Sequence, residues 1–385
     1  MIILVYVLFW VSLLLVFHSY VFYPFIVKLW SRFKKSPLFT DQSSFPTISM
    51  LTSVYNEESI IVAKLKNIKA VEYPADKIEI LIGSDCSSDK TVALIEAFDS
   101  MPIRVFRFDR RRGKAAVLND LASAAKNEIL VFSDANTFYA PDAVSKLVQH
   151  FADPEVGGVC GNLHLSASAK NSGGKGEAAY WRYENSIKES EGKIRTTFGA
   201  TGGIYALRRK LYRQLPVSKA VMDDFLLPLY AVQQGFQIVY DAHAQGWEET
   251  TSSTAKEFER KIRIGAANFS GLVEVLPLFH PKYRFIAFGL FSHKLIRWII
   301  PFLLITIFIT SIILNQEGGV YRWCLTIQSV FACMAGIGYI LDKMSKPIMF
   351  FTLPYYFIVA NLGLLLGFFR FLKGTQKAAW NATRT

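Results

Sequence analysis

Asp134 and Asn136 stand on alternate residues of one extended turn, an arrangement that points two oxygen ligands to the same side. A divalent cation that is bound together with a diphosphate needs few protein oxygens, because phosphate and water fill its other positions. The pair therefore predicts a Mg²⁺ or Mn²⁺ site. Taken alone, Asp134 would be better explained as a helix cap or as the closure of a turn.

Three other polar segments accompany this pair and favour a ligand-binding interpretation. Glu57 and Asp85 each follow an apolar run, and Arg112 and Lys114 flank a glycine where a helix is predicted to start. Carboxylates accept hydrogen bonds from a base or a ribose, whereas cations and the amides of a helix start attract phosphate. The alternatives are a helix start for Glu57 and a solvated basic face for the arginine and the lysine.

A glycine pair and an aspartate pair follow later in the chain. Gly202 and Gly203 precede an apolar run and permit close approach by a substrate. Asp223 and Asp224 come next, and neighbouring carboxylates raise one another's pKa, which suits a general base for an acceptor hydroxyl. We expect the two glycines and Asp223 to contact the acceptor. By itself, the aspartate pair also fits the N-terminus of a helix.

The elements that must position these residues alternate along the central part of the chain. We predict strands over residues 47–54, 78–84, 103–106 and 128–133, and helices over residues 58–70, 89–98, 113–125 and 141–151. Such alternation predicts an α/β fold with a largely parallel sheet, in which ligands bind beyond the carboxyl ends of the strands.

Apolar segments flank this central part. The chain has 385 residues, 51% of them hydrophobic, and residues 1–27 are long and apolar enough for an uncleaved transmembrane anchor. We predict a central domain over residues 46–267, an interfacial segment over 268–293, a membrane domain of about three transmembrane segments over 294–372, and a basic tail over 373–385. The last apolar run, 347–369, is either a full span or a re-entrant segment.

Basic residues beside these segments predict the orientation. Those that follow the first span are Lys28, Arg32, Lys34 and Lys35. By the positive-inside rule we expect a cytosolic central domain in a multi-pass protein of the plasma (inner) membrane. Much of the net charge of +12 lies beside apolar runs, where it meets lipid headgroups, so no nucleic-acid partner is predicted. The four cysteines show no paired spacing and predict neither a metal site nor a disulfide.

The order of these motifs resembles the family 2 glycosyltransferases, the superfamily of cellulose, chitin, hyaluronan and bacterial poly-N-acetylglucosamine synthases. The matching segments are 54–58, 84–91, 112–119, 133–136, 202–208 and 223–225. The flanking apolar segments resemble those of the bacterial membrane branch. The resemblance implies a GT-A fold, which is a Rossmann-like nucleotide-diphospho-sugar transferase domain, and an inverting reaction.

The roles of the site residues follow from the same resemblance. It implies a nucleotide held by Glu57, Asp85 and Lys114, a metal ion ligated by Asp134, and Asp224 as the catalytic base. Arg263 keeps the basic residue of the family's Gln-x-x-Arg-Trp motif and is expected at the diphosphate. A cationic interfacial helix is the alternative for that arginine.

The function that the resemblance implies is transfer of a sugar from a nucleotide-diphosphate sugar, expected to be a UDP-sugar. The expected acceptor is lipid-linked or a polysaccharide, in cell-envelope or exopolysaccharide synthesis. Asn136 is a neutral amide where the family has a second acid, and the Gln-x-x-Arg-Trp motif is altered. These departures leave an alternative from another class, a non-catalytic sugar-nucleotide-binding subunit of a polysaccharide synthase complex.

Overall fold

The central part of the chain forms an eight-stranded sheet with a hydrophobic core on each face. This computed structural model describes residues 2–34, 41, 45–166, 172–249, 254–344, 346 and 348–378. Lys35 and residues 379–385 of the predicted tail lie outside the described residues. The strands are β1 (Ile48–Val54), β2 (Ile78–Ser84), β3 (Arg104–Arg107), β4 (Ile129–Phe132), β5 (Phe138–Tyr139), β6 (Val156–Ser166), β7 (Tyr205–Arg208) and β8 (Gln237–Glu249).

The helices of this part cover both faces of the sheet. They are α3 (Ile61–Lys69), α4 (Thr91–Glu96), α5 (Lys114–Ala124), α6 (Ala143–Val148), α7 (Ser172–Ile194), α8 (Asp223–Gln233) and α9 (Thr254–Glu274). Alternate residues of the buried strand β1 serve the two cores: Leu51 packs in the core that contains Leu118 of α5, and Met50 in the core that contains Leu65 of α3.

The first half of the sheet agrees with the sequence prediction. Strands β3, β2, β1 and β4 are neighbours in that order and all pair in parallel. Their carboxyl ends, and with them the polar segments after β1, β2 and β4, therefore lie at one edge of the sheet.

The second half corrects the prediction of a largely parallel sheet. The complete order is β3-β2-β1-β4-β7-β6-β8-β5, in which β7 runs antiparallel to both β4 and β6, and β5 runs antiparallel to β8. In this half, β6 and β8 pair in parallel. The sheet is mixed because β7, which follows the loop after α7, inserts between β4 and β6. The alternation of strands and helices along the sequence does not reveal such an insertion.

Four apolar segments are long enough to cross a membrane, by length and composition. They contain α1 (Ile2–Phe17) with α2 (Tyr23–Ser31), α10 (Phe285–Gly289) with α11 (Ile296–Ile313), α12 (Gly319–Lys343), and α13 (Met349–Leu372). These segments indicate a membrane protein. The second one begins at Phe285, inside the predicted interfacial segment, and the predicted boundary at residue 267 falls within α9.

A buried polar network joins the central domain to the first two apolar segments. His293, just before α11, lies 3.0 Å from a carboxylate oxygen of Glu184 and 2.6 Å from one of Glu191, both on α7. Arg297 of α11 also pairs with Glu184, and the hydroxyl of Tyr23 donates to Glu191 at 2.7 Å. Because buried charges are costly to separate once paired, this network fixes α7 against α2 and α11.

Candidate active site

The loops after β1 and β2 turn sharply at one edge of the sheet. Asn56 has φ of 51° and Cys86 has φ of 62°, both in the left-handed region. The side-chain carbonyl of Asn56 accepts a hydrogen bond from the amide of Ser88 at 2.9 Å, which ties the two loops together. Asparagine tolerates this conformation, whereas cysteine adopts it at a cost, so the site stores local strain at Cys86.

Asp85 shapes the basic turn that precedes α5. Its carboxylate accepts hydrogen bonds from the backbone amides of Arg112 at 2.8 Å and Gly113 at 2.9 Å, and from Nε of Arg111 at 3.4 Å. Gly113 has φ of 88°, a conformation that favours glycine. Asp85 is 3% exposed as a residue and still lines the cavity described below, and its hydrogen bonds hold the conformation of the basic turn.

The two arginines of this turn point in different directions. The guanidinium of Arg111 lies 3.3 Å above the ring of Tyr55, and both residues line the cavity. The guanidinium of Arg112 instead pairs with Asp120 and lies 4.1 Å from the ring centroid of Phe108. Arg112, which the sequence suggested as a phosphate ligand, is not among the described residues that line the cavity, because its ion pair turns the side chain away.

Lys114 connects the predicted metal ligand to the aspartate pair. Its Nζ lies 2.7 Å from Asp134 and 3.0 Å from Asp223. Burial lowers the pKa of Lys114, but the two carboxylates outweigh it and hold the pKa above its ordinary value. The other oxygen of Asp223 accepts a hydrogen bond from the hydroxyl of Tyr205 at 2.8 Å. Asp223 is buried, and each of its carboxylate oxygens has one of these two partners.

A buried lysine holds the turn that carries Asp134 by hydrogen bonds to residues on both sides of it. Lys64 of α3 is 1% exposed, and its Nζ donates to the hydroxyl of Ser133 at 2.6 Å and to the carbonyl of Thr137 at 2.5 Å. Burial lowers the pKa of Lys64 to about 7, and the charge of Asp134 opposes that shift. The sequence prediction missed this lysine, because its position in an amphipathic helix gave no sign of a role.

The carboxylates of Asp224 and Asp134 both lie close to Gly202. A Cβ on Gly202 would lie 3.2 Å from Oδ2 of Asp224 and 3.8 Å from Oδ2 of Asp134. Burial raises the pKa of Asp224 to about 6; the charge of Asp223 adds to this, and Lys114 and a second lysine, Lys188, oppose it. A carboxylate with this pKa is ionised at neutral pH and accepts a proton readily, as a general base must.

Gly203 has a different reason to be glycine. A Cβ there would lie 2.1 Å from the hydroxyl oxygen of Thr137, which follows the Asp134 turn. The contact is with a side chain of the protein itself, so the missing side chain at Gly203 allows close packing against Thr137.

The cavity at this edge of the sheet has a balanced set of charges. Its lining cations are Arg111, Lys114, Arg260 and Arg263, and its lining acids are Glu57, Asp85, Asp134 and Glu248. Of these cations, Arg260 and Arg263 come from α9, far along the chain from the others. Burial lowers the pKa of Arg263 to about 10, with Arg260 adding to the effect, while Glu257 and Asp134 oppose it.

The structure brings most of the predicted binding residues into this one cavity. Those that line it are Glu57, Asp85, Lys114, Asp134, Asn136 and Arg263. Asp224 and Gly202 are not among the described residues that line it and lie beside Asp134, whereas Arg112, Asp223 and Gly203 make other contacts. The lining residues that the sequence prediction missed are Tyr55, Arg111, Glu248 and Arg260. The clearest missed signal is Arg260, which stands three residues before Arg263 and therefore on the same helical face.

The oxygen donors fit a metal ion that shares its coordination with a diphosphate. Within the described residues, no group of three or more histidine, cysteine or acidic side chains is arranged to hold an ion by itself. Asp134 and Asn136 both line the cavity, and one oxygen of Asp134 binds Lys114 while the other lies on the side of Gly202. Mg²⁺ and Mn²⁺ accept such a sparse protein set when phosphates and water complete the shell.

Comparisons of the sequence agree on the family of this domain. Residues 49–215 match the family model described as Glycosyl transferase family 2. A beta-monoglucosyldiacylglycerol synthase of Trichormus variabilis is 30% identical over 142 residues, which are 36% of this chain and 30% of the relative. A poly-beta-1,6-N-acetyl-D-glucosamine synthase of Staphylococcus aureus is 27% identical over 224 residues, 56% of this chain and 53% of the relative. The matches thus span no more than 53% of the length of either relative.

A solved structure resembles nearly the whole chain. It is a mannosyltransferase of Pyrobaculum calidifontis in complex with GDP-Man and Mn²⁺, with a TM-score of 0.70 at 20% identity, covering 93% of this chain and 99% of that one. At this identity the likeness shows the fold alone, and it confirms the predicted Rossmann-like GT-A fold. The match over residues 49–215, together with the motifs that converge on one cavity, identifies this part of the chain as a glycosyltransferase family 2 domain.

Proposed function

We propose that the chain is a membrane-bound inverting glycosyltransferase. It transfers a sugar from a nucleotide-diphosphate sugar, which we take to be a UDP-sugar, to a lipid-linked or glycan acceptor. The observation that carries this proposal is the cluster at Gly202, where the carboxylate of Asp224, with its raised pKa, lies beside Asp134 and its partner Lys114. A base next to a diphosphate-binding pair is what a direct displacement at a sugar carbon requires.

The proposed reaction is a single displacement. Asp224 takes the proton from the acceptor hydroxyl, whose oxygen forms a bond to the anomeric carbon. The bond from that carbon to the diphosphate oxygen breaks, and its electron pair leaves with the diphosphate. Attack from the face opposite to the leaving group inverts the configuration at the anomeric carbon.

The residues of the cavity have distinct roles in this proposal. Glu57 and Asp85 serve the nucleoside end, and Asp85 also holds the basic turn. Lys114 and Arg263 stabilise the charge of the departing diphosphate. Asp134 and Asn136 would hold Mg²⁺ or Mn²⁺, an ion that neutralises diphosphate charge when it is bound.

The proposed location is the plasma (inner) membrane, with the catalytic domain on the cytosolic side. Support comes from the basic residues Lys28, Arg32 and Lys34, which lie at the end of the first apolar segment, next to the central domain. Nucleotide sugars are made in the cytosol, so this orientation gives the cavity direct access to its donor.

The test is the release of nucleoside diphosphate by the detergent-purified full chain, supplied with UDP- and GDP-sugars, Mn²⁺ or Mg²⁺, and a lipid extract. We expect metal-dependent release from one donor, and loss of release in Asp224→Asn with donor binding kept. Asp99→Asn, at an exposed aspartate, is the matched control and should behave like the wild type. Donor binding without turnover in the wild type would favour the non-catalytic subunit, which the neutral amide of Asn136 suggests. Full turnover by Asp224→Asn would refute the role of the base.

A further inference from the structure

Helix α13 lies against α9 at a place where three glycines bring the two backbones together. Gly265 of α9 faces Gly363 and Gly367 of α13. A Cβ on Gly367 would lie 2.6 Å from the carbonyl oxygen of Ile262 and 2.7 Å from the amide nitrogen of Ala266. Since real Cβ atoms essentially never approach within 3.0 Å, no side chain larger than hydrogen fits there without moving one helix.

Polar contacts on either side of the glycines fix how the two helices are rotated. Arg370 of α13 forms an ion pair with Glu259 of α9 at 3.1 Å. Nζ of Lys261 lies 5.5 Å from the ring centroid of Tyr356. The glycines set the distance between the helices, and these contacts at both ends of the crossing set the register.

The other side of α9 faces the cavity. Arg260 and Arg263, which we call the arginine face of α9, both line it. Farther along the helix, a Cβ on Gly271 would lie 3.1 Å from the ring of Phe225, the residue after Asp224. One helix therefore touches α13, the cavity and the start of α8, and a shift of its axis moves the arginines relative to Asp134.

We propose that Gly363 and Gly367 are positioning residues that hold the arginine face of α9 at the distance where it binds the diphosphate of the donor. The inference rests on the proposed function, because it takes the cavity to be the diphosphate site. Among the described residues that line the cavity, none comes from α13, the last of the four apolar segments. Any effect of α13 on the cavity therefore acts through α9.

The experiment measures binding of UDP and of GDP, each with Mn²⁺, to the detergent-purified full chain by calorimetric titration. Gly367→Ala is expected to weaken binding about tenfold, as loss of a charge-assisted phosphate contact does. Gly265→Ala, whose Cβ meets α13 at 3.2 Å and beyond, should give a smaller loss in the same direction and keeps the test usable if the first variant folds poorly. Gly336→Ala in α12 is the matched control, because an added Cβ there would meet no atom of the described residues within 4 Å apart from its own stretch of helix.

A thermodynamic cycle separates positioning from general damage. Arg260→Ala with Arg263→Ala removes the arginine face, so adding Gly367→Ala to that pair should weaken binding no further. A further tenfold loss in the triple variant, or an equal loss in Gly336→Ala, would overturn the inference while leaving the proposed function intact. A wild-type chain that binds neither UDP nor GDP would overturn the proposed function and the inference with it.

Discussion

The buried lysine behind the Asp134 turn gives a quantitative prediction about stability and pH. In Lys64→Met the side chain keeps much of its length but loses the cation and its hydrogen bonds to Ser133 and Thr137. In the folded wild type the pKa of Lys64 is lowered to about 7 by burial, although Asp134 opposes the shift. In the unfolded chain it returns to the ordinary value of a lysine, about 10.4.

The sign of the effect follows from proton binding. Between the two pKa values the unfolded chain holds a proton that the folded chain lacks, so the free energy of unfolding rises with pH. From pH 7 to pH 9 this single group should add about 2 kcal/mol to the stability of the wild type. Below pH 7 both states are largely protonated, and the contribution becomes flat. Lys64→Met lacks the titrating group and should not show this rise.

The assay is denaturant unfolding of the detergent-solubilised chain, followed by tryptophan fluorescence, without divalent cation or donor. The quantity of interest is the difference between wild type and Lys64→Met at pH 7 and at pH 9, since other titrating groups cancel in it. Lys66→Met, an exposed lysine on the same helix, serves as the control and should stay parallel to the wild type. A difference between wild type and Lys64→Met that does not change with pH would refute the reasoning.

Four further predictions address the site itself. Because Asp224 has a pKa of about 6, kcat/KM should fall about tenfold from pH 7 to pH 5, and a flat profile would contradict its role as base. Arg111→Ala should raise the donor KM, whereas Arg112→Ala should leave it unchanged; steady-state kinetics would expose a reversed order. Cys86→Gly should stabilise the fold by about 1 kcal/mol by relieving its positive φ, and a lower Tm than wild type would argue against strain. Gly203→Ala should cost about 1–3 kcal/mol of unfolding free energy, and unchanged unfolding would mean that the neighbouring threonine moves freely.

The parallel half of the sheet was predictable because its signals are local. A buried strand such as β1 is a short and mostly apolar segment, and a run of polar residues begins in the turn that follows it. The acids Asp85 and Asp134 could therefore be assigned to one edge of the sheet from local sequence alone. The strands of the mixed half are set by contacts between distant segments, and their glycines and polar residues give no clear period.

The sequence alone could not tell which of two adjacent side chains points toward the site. Arg111 and Arg112 share a basic turn, and the ion pair with Asp120 decides that the second turns away from the cavity. Asp223 and Asp224 are likewise neighbours, yet the helix start directs one to Lys114 and the other toward Gly202. A one-residue step turns a side chain by about 100° on a helix and to the opposite side in extended backbone, and motif spacing does not record which direction is taken.

The docking of α9 on α13 has a consequence for the making of the protein. Ribosomes release α9 well before α13, so for a period the nascent chain possesses every strand of the sheet and every loop of the cavity while α9 lacks its contact with α13. Under the proposed roles of the cavity and of the glycines, donor binding would mature only when the last apolar segment has entered the membrane and packed against α9. A nascent chain without a bilayer for α13 would then bind nucleotide poorly, which would link the proposed sugar transfer to completed membrane insertion.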